Sequence, residues 1–104
     1  MEPVRSAAFN ATVGRDPDGT PVLGLHGELD IATAASAGLA LDTVPPPTKL
    51  VVDVSELSFM DSSGLAVLLG ARNRGYDLRL RRPSTIVRDL IAATGLNEIL
   101  PFES

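Results

Sequence analysis

Ser62 and Ser63 stand side by side where the sequence changes character, preceded by Asp61 and followed by Gly64. Before them, Leu50-Val51-Val52-Asp53-Val54 is nearly all apolar and β-branched, which suits a central strand covered on both faces. After them, from Gly64 to Arg74, Leu65, Leu68, Leu69 and Arg72 recur at helical spacing. A segment that leaves a strand and enters a helix lies at the carboxyl end of a sheet, where the sites of open α/β folds collect. The residues admit only a few kinds of chemistry there. One serine can cap the helix by accepting from its free N–H groups, worth about 1 kcal/mol. One cap needs one serine, so a second hydroxyl is left over. Phe59 and Met60 fall in what reads as a loop, Ser55 to Ser63, where polar residues are expected; they point to a packed or partner-facing surface.

A nucleophilic serine fits poorly. A Gly-x-Ser-x-Gly elbow needs glycine where Met60 stands, and no base is indicated by spacing to activate the hydroxyl. A phosphate-binding loop needs Gly-x-x-x-x-Gly-Lys-Ser/Thr, and the one lysine, Lys49, lies outside any such pattern. An aspartate that accepts phosphate is conceivable at Asp53, but it requires further well-placed acids to hold a metal ion. A serine that is itself modified requires less: access for a kinase, and a consequence. Phosphorylation adds about −1.5 to −2 charge and three acceptor oxygens. A helix N-terminus tolerates that charge through its dipole and free N–H groups, so the domain should stay folded. In an interface the same charge must be desolvated, here beside Asp61, at a cost of several kcal/mol, and each ~1.4 kcal/mol is tenfold in affinity. Capping and modification both remain open on these residues alone.

The composition narrows the classes further. At 104 residues the chain has the size of one domain, with 44% apolar and 21% charged residues, an ordinary globular balance. The absence of cysteine excludes disulfides, thiolate metal sites and cysteine nucleophiles, and the one histidine, His26, is too little for a multi-histidine metal site. A net charge of −4 argues against direct nucleic-acid binding, although Arg72, Arg74, Arg79, Arg81, Arg82 and Arg88 gather in the second half. The longest nearly apolar run, Leu65 to Ala71, is far short of the ~20 residues that span a bilayer, and Met1 to Ser6 lacks the apolar core of a signal peptide. The expectation is a cytoplasmic protein without membrane contact, cofactor or metal.

The elements that must position the serines follow from periodicity and punctuation. Ala8 to Val13 and Pro21 to His26 read as two strands joined by the Asp16-Pro17-Asp18-Gly19 turn, an antiparallel hairpin. Ile31 to Asp42 is Ala-rich and helical, with Asp30 or Thr33 as its N-cap and Pro45-Pro46-Pro47 forbidding continuation. Gly75 is expected to stop the second helix, and Tyr76 to Arg81 forms the next strand. A third helix opens at Pro83-Ser84, buries Val87, Leu90, Ile91 and Thr94, and closes on Gly95; Ile99-Leu100 makes a short last strand. The predicted order is β-β-α-β-α-β-α-β: an α/β fold with a mixed, mostly parallel sheet of about five strands, in a single domain over residues 1–104.

The run from Asp53 to Leu69, with Phe59-Met60-Asp61-Ser62-Ser63-Gly64 at its centre, resembles the signature of bacterial anti-sigma-factor antagonists, which are single STAS domains (sulfate transporter and anti-sigma antagonist). Gly27-Glu28-Leu29-Asp30 and Ser84 to Leu96 resemble two further family segments, in the correct order. The resemblance implies a STAS fold and a partner-switching function with no enzymatic activity of its own. The unphosphorylated antagonist binds an anti-sigma factor that is also a serine kinase, which frees the sigma factor. Phosphorylation by that kinase releases the antagonist, and a PP2C-type phosphatase resets it. By motif position the acceptor is Ser62 and Ser63 becomes the helix cap. Met60, Asp61, Ser63 and Gly64 are expected to face the kinase, with Glu28 and Asp30 on the neighbouring loop. Members usually add a C-terminal helix that these residues do not include; an uncovered sheet face is therefore expected, available for a weak homodimer if the protein is not a monomer. The same resemblance leaves room for a STAS regulatory module of a stress-signalling or transport complex.

Overall fold

The computed structural model describes residues 9–44 and 49–103. The chain runs β1 (Phe9–Arg15), β2 (Pro21–Leu29), α1 (Ala34–Asp42), β3 (Lys49–Met60), α2 (Ser62–Asn73), β4 (Asp77–Arg81) and α3 (Thr85–Thr94). The sheet order is β1-β2-β3-β4; β1 is antiparallel to β2, and the other two pairings are parallel. This is the expected mixed, mostly parallel α/β fold. The predicted strand at Ile99-Leu100 is not one: the chain meets β4 two residues later, in a single parallel bridge between Leu80 and Phe102. Leu96 O holds the Ile99 and Leu100 N–H groups (3.1 and 2.8 Å) in a turn that delays the approach.

Strand alternation sorts the sheet into two unlike faces. Leu23, Leu25, Val52, Val54, Leu78 and Leu80 share one face and join a single core with Ala37 and Leu41 of α1, Leu65, Leu68 and Ala71 of α2, and Val87 and Ile91 of α3. All three helices therefore pack on that side. The second helix buries Leu65, Leu68 and Ala71, while Leu69 is half-buried and Arg72 exposed, so its buried stripe is rotated from the one the spacing suggests. In α3, Val87 and Ile91 are buried as expected; Thr94 is exposed, and its hydroxyl donates back to Leu90 O at 2.9 Å.

The expectation that β3 is covered on both faces is met at Val51, which is 1% exposed on the face away from the helices, and is not met at Asp53 and Ser55. Asp53 and Ser55 line an open groove of about 380 Å³ on the opposite face, together with Thr12, Gly24, His26 and Arg81. Arg81 is the hub of this polar side. Its guanidinium donates to both carboxylate oxygens of Asp16 (3.1 and 2.7 Å) and both of Glu103 (2.6 and 2.8 Å), tying the β1–β2 turn to the C-terminal segment. These charge-assisted bonds hold the carboxyls of Asp16 and Glu103 below their ordinary range and push the Arg81 guanidinium higher still.

The helix ends obey their punctuation. Gly75 (φ 106) and Gly95 (φ 71) are left-handed, and each starts a pair of closing bonds: Gly75 N–H to Arg72 O with Tyr76 N–H to Ala71 O, and Gly95 N–H to Ala92 O with Leu96 N–H to Ile91 O. Helix α1 ends at Asp42, where the Thr43 hydroxyl donates to Ala40 O at 2.7 Å; Pro45, Pro46 and Pro47, expected to stop it, lie outside the described residues, as does Ala8 of the first predicted strand. Tyr76 precedes β4 and is buried, its hydroxyl donating to Leu41 O (2.9 Å) and to Val44 O, which fastens α1 to the strand.

Candidate functional site

The segment Ser55 to Met60, read above as loop, is strand. It stays paired with β2 to the end: Gly27 faces Leu57, Glu28 faces Phe59 and Leu29 faces Met60. The register shifts between Gly24 and His26 and again between Gly27 and Glu28, each time with one extra residue on β3. These bulges break the period-2 pattern and bend the strand. They also bring the end of β3 level with the end of β2, so that Glu28 and Asp30 come to lie beside Met60 and Asp61, the juxtaposition the two motifs call for.

Helix α2 begins immediately. Its N-cap is Asp61, with extended φ −124 and ψ −165, and its Oδ1 accepts from Ser63 N–H at 2.9 Å and Gly64 N–H at 3.4 Å. This corrects the assignment of the cap to Ser63. Aspartate and serine cap equally well in isolation; the backbone decides between them, because Asp61 N–H donates to Leu29 O (3.4 Å) and Asp61 O accepts from Leu65 N–H (3.1 Å), which fixes Asp61 as the last non-helical residue. Gly64 makes that docking possible. It is buried, and a Cβ on it would stand 2.7 Å from Met60 Cγ and 2.9 Å from Leu29 Cγ.

Ser62 is therefore the first helical residue. It is exposed, and among the described residues its hydroxyl has no hydrogen-bond partner. Ser63, the second, is half-buried. Met60 is 3% exposed and belongs to the core, so of the residues expected at a partner surface it turns its side chain inward, and Gly64 offers only backbone. Phe59 points outward at 40% exposure, and Ile31, just beyond Asp30, is 82% exposed. Ile31 had no signal of its own, since an isoleucine at the start of an amphipathic stretch reads as core. Glu28 is exposed. Asp30 is engaged locally: its Oδ1 accepts from Ala32 N–H (2.9 Å) and Thr33 N–H (3.2 Å), while Thr33 Oγ1 accepts from Asp30 N–H (3.0 Å) and donates to Glu28 O (2.8 Å). The reciprocal bonds form a capping box one turn ahead of α1, with Thr33 as the N-cap.

Asp53, the other candidate phosphate acceptor, lies mid-strand and on the far face. Partial burial opposes its ionisation, but bonds from Ser55 N–H (3.0 Å), Ser55 O–H (2.7 Å) and Arg82 (2.6 Å) outweigh burial and hold its pKa low. Arg82 makes that contact from a left-handed backbone (φ 48), a strained position for a residue with a side chain. Among the described residues no three of His, Cys, Asp and Glu are grouped to hold a metal ion.

A family model described as "Mlab, STAS domain" matches residues 14–101, which includes the hairpin, both serines and the third helix. The chain belongs to the STAS domain family. It is similar to the anti-sigma-B factor antagonist of Listeria monocytogenes, at 33% identity over 96 residues that cover 86% of this chain and 83% of the relative. Among solved structures it resembles an anti-sigma factor antagonist from Mycobacterium paratuberculosis, with a TM-score of 0.73, 32% identity and coverage of 90% and 84% of the two chains. It also resembles the anti-sigma factor antagonist SpoIIAA in its unphosphorylated form (TM-score 0.65, 28% identity, coverage 91% and 89%) and in its phosphorylated form (TM-score 0.65, 25% identity, coverage 91% and 92%).

In this STAS domain the two motif segments meet at one end of the sheet: Glu28 and Asp30 stand at and just past the end of β2, and Asp61 and Ser62 follow the end of β3. Glu28 pairs in register with Phe59 and Leu29 with Met60, which sets the Glu28–Asp30 segment beside Asp61; Phe59 and Ile31 are exposed, and among the described residues the Ser62 hydroxyl has no hydrogen-bond partner. Among the described residues none of the carboxylates of Glu28, Asp30 and Asp61 is in an ion pair. No helix in the described chain is long and apolar enough to cross a membrane.

Proposed function

We propose that this STAS domain is an anti-sigma-factor antagonist whose binding to its partner is switched off by phosphorylation of Ser62. The observation that carries the reading is the state of Ser62. It is an exposed hydroxyl, without a hydrogen-bond partner among the described residues, at the first position of a helix that another residue already caps. A residue with no structural duty at that corner is free to be modified. The relatives support the same reading, since they are named as anti-sigma factor antagonists, and SpoIIAA is known in a phosphorylated form that matches this fold with the same TM-score, 0.65, as the unphosphorylated one.

Around Ser62 the surface is suited to lose a partner on phosphorylation. Phe59 and Ile31 supply apolar contact, and an unmodified serine among them is easily desolvated. A phosphoserine adds about −1.5 to −2 charge beside Asp61, Glu28 and Asp30, and bringing that charge into an interface costs far more than its hydroxyl did. The described fold has little to lose, because the hydroxyl takes part in none of the bonds among the described residues. The partner on this reading is an anti-sigma factor with serine kinase activity, and a PP2C-type phosphatase restores the binding form. The domain, over residues 1–104, binds and is modified without being an enzyme itself, and it acts in the cytoplasm.

The test is to incubate the protein with ATP and the serine-kinase anti-sigma factor encoded in the same genome, and to locate the modification by mass spectrometry. One phosphate on Ser62 is expected, and none on Ser62→Ala, which should remain bound to the kinase. A phosphate on Ser63 alone, or none from any such kinase, refutes the reading and leaves a STAS module of another complex.

A further inference from the structure

The start of α2 has four N–H groups that no preceding turn can satisfy: those of Asp61, Ser62, Ser63 and Gly64. Three of them are taken. Asp61 N–H donates to Leu29 O on β2, and Ser63 and Gly64 N–H donate to Asp61 Oδ1. Only Ser62 N–H is left without a partner among the described residues. A phosphate on Ser62 therefore does not meet the open anion site that a helix N-terminus usually provides. It meets one whose best donors already hold a carboxylate.

We propose that Asp61 is the positioning residue of the switch: it keeps the Ser63 and Gly64 N–H groups for itself and so holds a phosphate on Ser62 out at the surface. The inference rests on Ser62 being the modified residue and concerns what happens to the phosphate afterwards. To reach those N–H groups the phosphate must displace the Asp61 carboxylate, leaving it unbonded next to a dianion. The Asp61 backbone has no freedom to swing away, because its N–H is bound to Leu29 and its carbonyl to Leu65. Glu28, exposed on β2, and Asp30, whose carboxylate is bound to the turn before α1, belong to the segment paired beside the end of β3 and add negative charge to that end of the sheet. The three carboxylates, on Asp61, Glu28 and Asp30, are of one sign, so none of them neutralises the phosphate, which stays outward. A phosphate folded back onto the helix would be largely screened from an approaching partner; one kept outside presents its whole charge. The cap and the acceptor are adjacent in sequence because the first governs the reach of the second.

The experiment needs neither kinase nor partner. Phosphoserine is installed at position 62 during synthesis, and the backbone amides of Ser63 and Gly64 are followed by two-dimensional NMR across about pH 5 to 8, spanning the phosphate's second ionisation near 6. In the native chain these two amide signals should not track the phosphate titration. In Asp61→Gly, a substitution that N-caps tolerate with little loss of stability, they are free and should move downfield with it, and installing phosphoserine should raise the melting temperature of that variant alone. Amides that track the phosphate in the native chain, or fail to in Asp61→Gly, overturn the proposal. Either result leaves the identity of the modified serine untouched, because the phosphate is placed by synthesis.

Discussion

Two glycines of α2 should respond to alanine in opposite senses, and the contrast measures how tightly the site is docked. Gly64 sits in the first turn over the ends of β2 and β3. A methyl there would lie 2.7 Å from Met60 Cγ, 2.9 Å from Leu29 Cγ and 3.1 Å from Leu29 Cδ2. Two of these atoms are close to their own backbones, so relief requires the first turn of α2 to lift from the strands. Overpacking of this kind costs about 1–3 kcal/mol, against at most about 1 kcal/mol regained from exchanging glycine for alanine in a helix. Gly64→Ala should therefore lose about 1–2 kcal/mol. At Gly70, two turns on, nothing stands within 4 Å of the same methyl, so Gly70→Ala keeps the propensity gain and should add about 0.5–1 kcal/mol. For a domain of this size each kcal/mol shifts the melting temperature by about 4–8 °C, so the pair should fall on opposite sides of the parent and some 10 °C apart. Urea unfolding with unchanged m-values would show that stability alone has moved. A Gly64→Ala protein as stable as the parent would refute the docking of α2 on Leu29 and Met60, and with it the backbone argument that makes Asp61 the cap.

Other outcomes follow from the same bonds. Tyr76→Phe removes a buried hydroxyl that serves two carbonyls, Leu41 O and Val44 O, and should cost about 1–3 kcal/mol in denaturant unfolding with little change in the sheet's circular dichroism. Asp16 and Glu103 have folded pKa values below their ordinary 3.8 and 4.5, because each is bonded to Arg81. Their contribution is present in full above those ordinary values and is lost as the pH falls through the lower folded ones. Arg81→Met should thus flatten the acid limb of the stability curve below about pH 4.5 while changing its shape little near neutrality; an unchanged acid limb would show that Arg81 does not set these carboxyls. Ser62→Asp should leave the melting temperature within about 4 °C of the parent, since among the described residues the native hydroxyl has no hydrogen-bond partner, Asp61 and not Ser62 caps the helix, and an exposed change of this kind stays within about 0.5 kcal/mol; unfolding by this substitution would make Ser62 structural.

Much of the fold was legible because it is written in local rules. The hairpin turn at Asp16 to Gly19, the Ala-rich α1, the C-terminal glycines of α2 and α3 and the β-branched start of β3 all act within a few residues of themselves. The second half of β3 was not legible. Its core positions Leu50, Val52, Val54, Leu57 and Met60 are spaced by two, two, three and three, and the two larger steps mark the bulges. A bulge inserts a residue that only the partner strand can reveal, so the pattern dissolves into apparent loop. Phe59 and Met60 show the consequence: adjacent, both apolar, one turned out and one turned in.

Residue types and their spacing were enough to name the residues that could be at the site. The motif around Ser62 and the Gly27-to-Asp30 segment name a family, and their side chains limit the chemistry to a cap, a modification or a contact. The division of those roles came from long-range contacts. Aspartate and both serines are all competent caps, and local preference does not separate them. What separates them is the meeting of β2 with β3: Leu29 O takes the Asp61 N–H, and Gly64 lets the helix close down on Leu29 and Met60. Those contacts join positions some thirty residues apart in the chain, so no short window of sequence contains them. They leave Asp61 bonded, Ser63 half-buried and Ser62 exposed, its hydroxyl without a partner among the described residues.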